Sequence, residues 1–179
     1  MLVLASRSPR RSELLRNAGI PFVVSATNVD ETVRDGEIPQ EYTIRVAEEK
    51  AMAIVPGPDD IVLGADTVVV IDHQILGKPA DEAHAIRMLG LLQGRQHDVI
   101  TGICVRRPGS VVREWAATKV WFTAMSQDQI RAYVASGEPM DKAGAYAIQG
   151  LASKFVERID GSYSNVVGLP VALVYKYIR

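Results

Sequence analysis

Apolar and polar positions follow two rhythms along this chain, and the switches between them mark its elements. The opening "LVLA" is an apolar run that predicts a strand. "SRSPRRSELL" then predicts a helix, with the Ser8 hydroxyl as N-cap and Pro9 at the first helical position. Gly19 stops that helix, and Pro21 begins a second extended stretch, "PFVVSA". A polar, turn-rich segment, "TNVDETVRDGEIPQ", follows. From about Gln40 to Val55 the spacing turns helical: Thr43, Ala47, Ala51 and Ile54 form one stripe and Lys50 lies on its flank. "PGPDD" breaks that helix.

Next, "IVLGADTVVVIDHQILGKP" holds two β-branched runs that read as strands, with "GAD" between them and "DHQ" as a turn. "DEAHAIRMLGLLQG" predicts a helix closed by Gly94, and residues 97–122 predict a long hairpin turning at "PGS". Ser126 and Gln129 form a capping box that opens "QDQIRAYVAS", which ends at Gly137. "MDKAGAYAIQGLAS" fits close backbone contact or an Ala-rich helical turn. "KFVERIDGSYSNVVGLP" reads as strand, tight turn and loop, and "PVALVYKYI" is a final helix starting at Pro170. Strands and helices are mixed, with one hairpin among βα units. That argues for α/β or α+β architecture around a mixed sheet.

Composition narrows the partners. The 179 residues fit one domain of generous size or two lobes sharing a core, and a net charge of −1 offers no global field to gather nucleic acid. Any anion site is therefore local. The single cysteine, Cys104, sits inside "VITGICV" and reads as a small buried hydrophobe in a reducing compartment. Three scattered histidines have no partner at metal-ligand spacing. The first residues are too short for a signal-peptide apolar region and no stretch approaches a membrane span, so the expected location is cytoplasmic and the expected partners include no membrane.

Candidate chemistry starts with Arg10 and Arg11, which the helix spacing puts in the first turn, where the dipole is positive and acids are preferred. An anion at the helix N-terminus accounts for them, and so do two side chains leaning into water. Asp66 follows an apolar strand and precedes another, and a carboxylate there needs a partner, a metal or solvent. Lys78 lies where the next strand should end, Lys50 fits the snorkelling of a flanking lysine, and Glu31 sits in a loop. No P-loop, dinucleotide fingerprint or nucleophile elbow is present. Two arginines, two lysines and a few carboxylates suit a polyphosphate, with acids to hold a metal or activate water.

Taken in order, "LASRSPRRSELL", "VDE", "EEKA", "LGADTVVV", "LGKP", "DKAGAYAIQG" and "GSYSNVVGLP" resemble the Maf family of nucleoside triphosphate pyrophosphatases from Met1 almost to Arg179. The resemblance implies one domain over 1–179 with an α/β fold related to inosine triphosphatase: a mixed twisted sheet flanked by helices, two lobes around a cleft. It also implies hydrolysis of a nucleoside triphosphate between the α and β phosphates with a divalent metal, Mg2+ or Mn2+; the sequence does not give the oligomeric state, and a homodimer is one candidate assembly. Carried over by position, Asp66 is the catalytic carboxylate. Ser6, Arg11, Lys50 and Lys78 bind phosphate, and Glu31 with Asp66 holds the metal. Arg10, Thr67 and Gln149 choose the base. "SPRR", "ADT" and "AYAIQG" resemble the branch acting on dTTP and UTP, not the branch for 7-methylguanosine triphosphate with "SDQ" and "SFKSEG". Rival readings are the same chemistry on another canonical or modified nucleotide, or a nucleotide-binding regulator of cell division.

Overall fold

The structure, a computed structural model, describes residues Met1–Arg179. Seven strands form one mixed sheet: β1 (Leu2–Leu4), β2 (Phe22–Val24), β3 (Ile61–Ile71), β4 (Gln74–Leu76), β5 (Gln96–Arg107), β6 (Ser110–Phe122) and β7 (Val156–Asp160). Their order is β2-β1-β3-β5-β6-β7, with β4 paired to β3. Strand β1 runs parallel to β2 and β3, while β4 is antiparallel to β3 and β7 to β6. The helices are α1 (Pro9–Asn17), α2 (Pro39–Met52), α3 (Glu82–Leu92), α4 (Gln127–Ala135), α5 (Tyr163–Val167) and α6 (Val171–Ile178). None is long and apolar enough to cross a membrane. The α/β class read from the sequence is the class observed.

The chain divides into two compact units. One comprises residues 1–67, 100–116 and 164–179; the other comprises 68–99 and 117–163. In the first unit the pleat sorts side chains between two faces. Leu2, Leu4, Leu63, Ala65, Ile103 and Val105 pack with Leu15 of α1 and Val174 of α6. Their neighbours Val3, Ala5, Val62 and Cys104 point the other way, onto Ala47 and Ala51 of α2. The register confirms the sorting, with Leu4 beside Leu63 and Val3 beside Val62. In the second unit α3 packs on α4, each burying one stripe: Ala85, Met88, Leu89 and Leu92, and Ile130, Tyr133 and Val134.

Four expectations change. "GAD" does not separate two strands, because β3 runs unbroken through it. Gly64 sits inside the strand for a packing reason: a Cβ there would stand 2.0 Å from the Ala47 carbonyl oxygen. Ser8 occupies the N-cap position of α1, but its side chain accepts no capping bond. Helix α2 ends at Met52, short of Val55, and residues 163–167 form a short helix rather than a loop. The capping box of Ser126 and Gln129 is present as expected, and the "DH" turn places Asp72 and His73 both at positive φ, as a two-residue hairpin turn requires. Cys104 is fully buried, and burial pushes its thiol up to about 11.

Gly102 of β5 does for α2 what Gly64 does, since its Cβ would meet the Thr43 carbonyl carbon at 2.4 Å. We expect Gly64→Ala to cost about 1–3 kcal/mol or more by overpacking. Gly90→Ala, in α3 with nothing within 4 Å, should instead stabilise by about 0.8–1 kcal/mol. Urea denaturation of the two variants checks the contrast, and equal effects would contradict the close-packed reading of Gly64.

Candidate active site

Consecutive residues of β3 serve opposite faces. Asp66 has the parity of Val62 and Gly64, so it points toward α2, and there it meets Lys50. The ammonium lies 2.7 Å from Asp66 Oδ1 and 2.7 Å from Glu31 Oε1. Lys50 does not snorkel: only 7% of it is exposed, and Asp66 matches it at 7%. A buried charge deprived of its partner costs about 3–5 kcal/mol, so each of the pair holds the other in place. Burial raises the Asp66 carboxyl above the ordinary carboxylate value, while Lys50 and then Arg11 pull it back.

Thr67, the next residue, has the parity of Leu63 and Ala65 and belongs to the α1 face. Its hydroxyl accepts from Arg11 Nη2 at 3.1 Å. Arg11 Nη1 donates to Ser6 Oγ at 3.2 Å, and Nε donates to the Gly168 carbonyl at 2.7 Å. A guanidinium has five donors, so one N–H on each terminal nitrogen remains. Those two N–H groups suit a planar or tetrahedral oxyanion. Arg11 is buried, and burial lowers its pKa while the charges of Asp66 and Glu31 oppose that effect. Arg10 is half-buried, and its charge disfavours that of Arg11.

Glu31 comes from a loop, and α2 clamps that loop in place. Tyr42 donates its hydroxyl to the Glu31 carbonyl at 2.8 Å, and Arg45 Nη2 donates to the Thr32 carbonyl at 3.0 Å. Arg45 is fixed in turn by Glu37, with Nε to Oε1 at 2.5 Å and Nη2 to Oε2 at 2.8 Å. Sequence reasoning missed these three residues. The signal available was the i,i+4 spacing of Arg45 and Glu49, which do pair.

In the second unit, Lys78 is exposed just beyond β4, and Gln149 is exposed within the "AYAIQG" segment. The turn that carries Lys78 is tied to that segment by Gly144 N–H donating to the Gly77 carbonyl at 3.1 Å. The Gln149 backbone is held on both sides. Ala147 N–H donates to the Tyr133 hydroxyl at 3.1 Å, and Leu151 N–H donates to Glu138 Oε1 at 3.0 Å. Tyr146 is anchored on His97, with Nε2 and the hydroxyl 2.8 Å apart. Burial holds His97 down at about 3, so its ring is neutral at physiological pH.

Thus the first unit brings Ser6, Arg11 and Thr67 into one network and Glu31, Lys50 and Asp66 into another, with Arg10 beside the first in sequence. No group of three His, Cys, Asp or Glu side chains gathers. Asp66 and Glu31 nonetheless converge on one cation, the Lys50 ammonium, so their oxygens reach a common point. Two carboxylates of this hard-oxygen type fit Mg2+ or Mn2+ when phosphate oxygens and water complete the shell.

The Glu37 carboxyl is held down to about 2, chiefly by its hydrogen bonds with Arg45. A depressed folded-state value means stability that is present above 4.5 and is lost as pH falls toward about 2. Wild-type stability to urea should fall across that interval. Glu37→Gln should be less stable than wild type at neutral pH and show a shallower fall on acidification. Parallel curves for the two proteins would contradict the clamp.

Three comparisons with known proteins bear on this site. Residues 1–179 match the family model described as Maf-like protein. A dTTP/UTP pyrophosphatase of Koribacter versatilis (strain Ellin345) is 50% identical over 179 residues, covering 99% of this chain and 93% of its own. A dTTP/UTP pyrophosphatase of Symbiobacterium thermophilum is 53% identical over 171 residues, covering 95% and 88%. Among solved structures, the Staphylococcus aureus Ham1 protein matches with a TM-score of 0.54 at 16% identity, over 99% of this chain and 97% of that one, a likeness of fold alone.

Proposed function

The chain belongs to the Maf family, and from that premise we propose that it is a dTTP/UTP pyrophosphatase, releasing pyrophosphate and leaving the nucleoside monophosphate. The observation that carries the chemistry is the buried Asp66 carboxylate, paired at 2.7 Å with Lys50 in the same unit as a guanidinium with two unspent N–H groups. The choice of dTTP and UTP rests on the relatives' activity together with "SPRR", "ADT" and "AYAIQG" in this chain.

Water attacks the α-phosphorus, the bond to the α–β bridging oxygen breaks, and pyrophosphate departs with the electron pair. Asp66 accepts the proton of that water. Its carboxyl is raised by burial, toward the range in which a general base is effective. Arg11, Lys50 and Lys78 are the cations assigned to the phosphates, where they stabilise charge gathering on the leaving group. Ser6 and Thr67 hold the guanidinium, and Arg10 and Gln149 are assigned to the base. Gln149 presents both a donor and an acceptor, which suits a neutral pyrimidine edge. Glu31 and Asp66 would hold a divalent metal, which when bound would neutralise charge on the phosphate oxygens. The free, buried thiol of Cys104 is in keeping with a reducing, cytoplasmic location.

Asp66→Asn keeps the shape and loses the proton acceptor. Pyrophosphate release from UTP and dTTP should fall by about 10²–10⁴-fold, while nucleotide binding, followed by calorimetry, persists. Wild-type-like release from that variant would remove Asp66 from the mechanism. A wild-type protein that binds UTP but releases no pyrophosphate with Mg2+ or Mn2+ would overturn the enzymatic reading.

Base choice has its own test. Replacing Gln149 with Glu should reduce turnover of dTTP and UTP by the equivalent of about 1–3 kcal/mol, the scale of a lost buried hydrogen bond. Across a panel of nucleoside triphosphates the ranking should shift; an unchanged ranking places the base elsewhere.

A further inference from the structure

Thr101 lies in β5 and is 0% exposed. Its parity is that of Ile103 and Val105, so it faces α1, a hydroxyl in line with two apolar side chains. Burying a hydroxyl is costly unless it is hydrogen-bonded, and this one is bonded twice. Its oxygen is 2.9 Å from Thr67 Oγ1, and it donates to the Asn165 carbonyl at 3.3 Å.

The chemistry of the donors and acceptors ties these bonds into one network. A guanidinium only donates and a carbonyl only accepts, while each hydroxyl has one proton to give. Either hydroxyl can donate across the 2.9 Å contact: Thr67 when Thr101 gives its proton to the Asn165 carbonyl, and Thr101 when Thr67 gives its proton to the Gly168 carbonyl at 3.3 Å. Thr67 in turn accepts from Arg11 Nη2 at 3.1 Å. The Gly168 carbonyl also receives Arg11 Nε at 2.7 Å, and its two lone pairs have room for both donors. The result is one connected chain, from Arg11 through Thr67 and Thr101 to the backbone at 165.

We infer that Thr101 is a positioning residue for the phosphate-binding arm: it orients the Thr67 hydroxyl, which with Ser6 and Gly168 fixes the plane of Arg11 so that its two remaining N–H groups present as a pair. The inference rests on the reading of Arg11 as a phosphate ligand. It also redirects Thr67, whose hydroxyl is engaged by Arg11 and so serves the phosphates rather than the base. Bidentate recognition depends on a fixed fork, and a guanidinium free to rotate forfeits one of its two bonds.

Thr101→Val retains the shape and deletes the hydroxyl, and Thr101→Ser restores the hydroxyl. Two readouts are needed: KM and kcat for UTP and dTTP, and the affinity for inorganic tripolyphosphate by calorimetry. For Thr101→Val, KM should rise by about tenfold, equally for both nucleotides, with kcat changing less. Tripolyphosphate affinity should weaken by the same factor, and Thr101→Ser should return both to near wild type. If valine prevents folding, Thr101→Ala is measured in its place with the same expectation. Unchanged KM, a loss of thermal stability alone, or no rescue by serine would reduce Thr101 to a packing residue and overturn the inference. A raised KM with unaltered tripolyphosphate binding would place its effect on the base and overturn it equally. Tripolyphosphate binding needs no turnover, so failure of the pyrophosphatase reading shows as absent pyrophosphate release from wild type and is separate from failure of this one.

Discussion

Helix α2 reaches Asp66 because Gly64 and Gly102 carry no side chain on the face it covers. With its backbone against the strands, the helix brings the Lys50 ammonium to the carboxylate while both stay nearly shut off from solvent. A helix held further out would leave a longer reach and room for water, and the carboxyl would relax toward its ordinary value. Two missing methyl groups therefore set both the strength of the ion pair and the basicity of the group assigned to activate water.

The pleat of β3 supplies the second half of the arrangement. Asp66 and Thr67 are chain neighbours, yet they serve different machinery because alternate side chains leave a strand on opposite sides. One side gathers acids around an ammonium. The other fixes a guanidinium among oxygens that accept from it without carrying full charge. This separation suits a polyanion: Arg11 keeps unspent donors, because its partners are hydroxyls and a carbonyl rather than a carboxylate that would saturate it.

Local signals were legible where the physics is local. The proline starting α1, the capping box of α4, the turn of residues 108–109 and the glycine closing α3 each act within a few residues of themselves. Gly64 misled because a glycine in a strand looks like a break unless the helix packed on it is known, and that helix comes from earlier in the chain. Lys50 looked like a surface lysine because its two acid partners lie 19 residues before it, at Glu31, and 16 after it, at Asp66. The site residues named from the sequence came from a whole-chain resemblance, not from any one spacing. Thr101 stayed hidden because a single threonine in an apolar run carries no mark of the two carbonyl-bearing and hydroxyl-bearing segments it joins. Glu37 and Arg45 were hidden likewise, being a pair formed between a loop and a helix.

The bond from Arg11 to Gly168 spans 157 residues, and the unit that contains it is assembled from three separate stretches of chain. Closing so large a loop costs entropy before any contact compensates for it. On a ribosome, residues 1–67 emerge with their strands, both helices and the Lys50–Asp66 pair available, but the guanidinium lacks its shortest acceptor until residue 168 has been made. The Lys50–Asp66 pair thus comes from an early, continuous segment, although Gly102, on which α2 also packs, comes later, and the Arg11 network waits for nearly the whole polypeptide. A nascent chain therefore completes the Arg11 network only when its synthesis is almost finished.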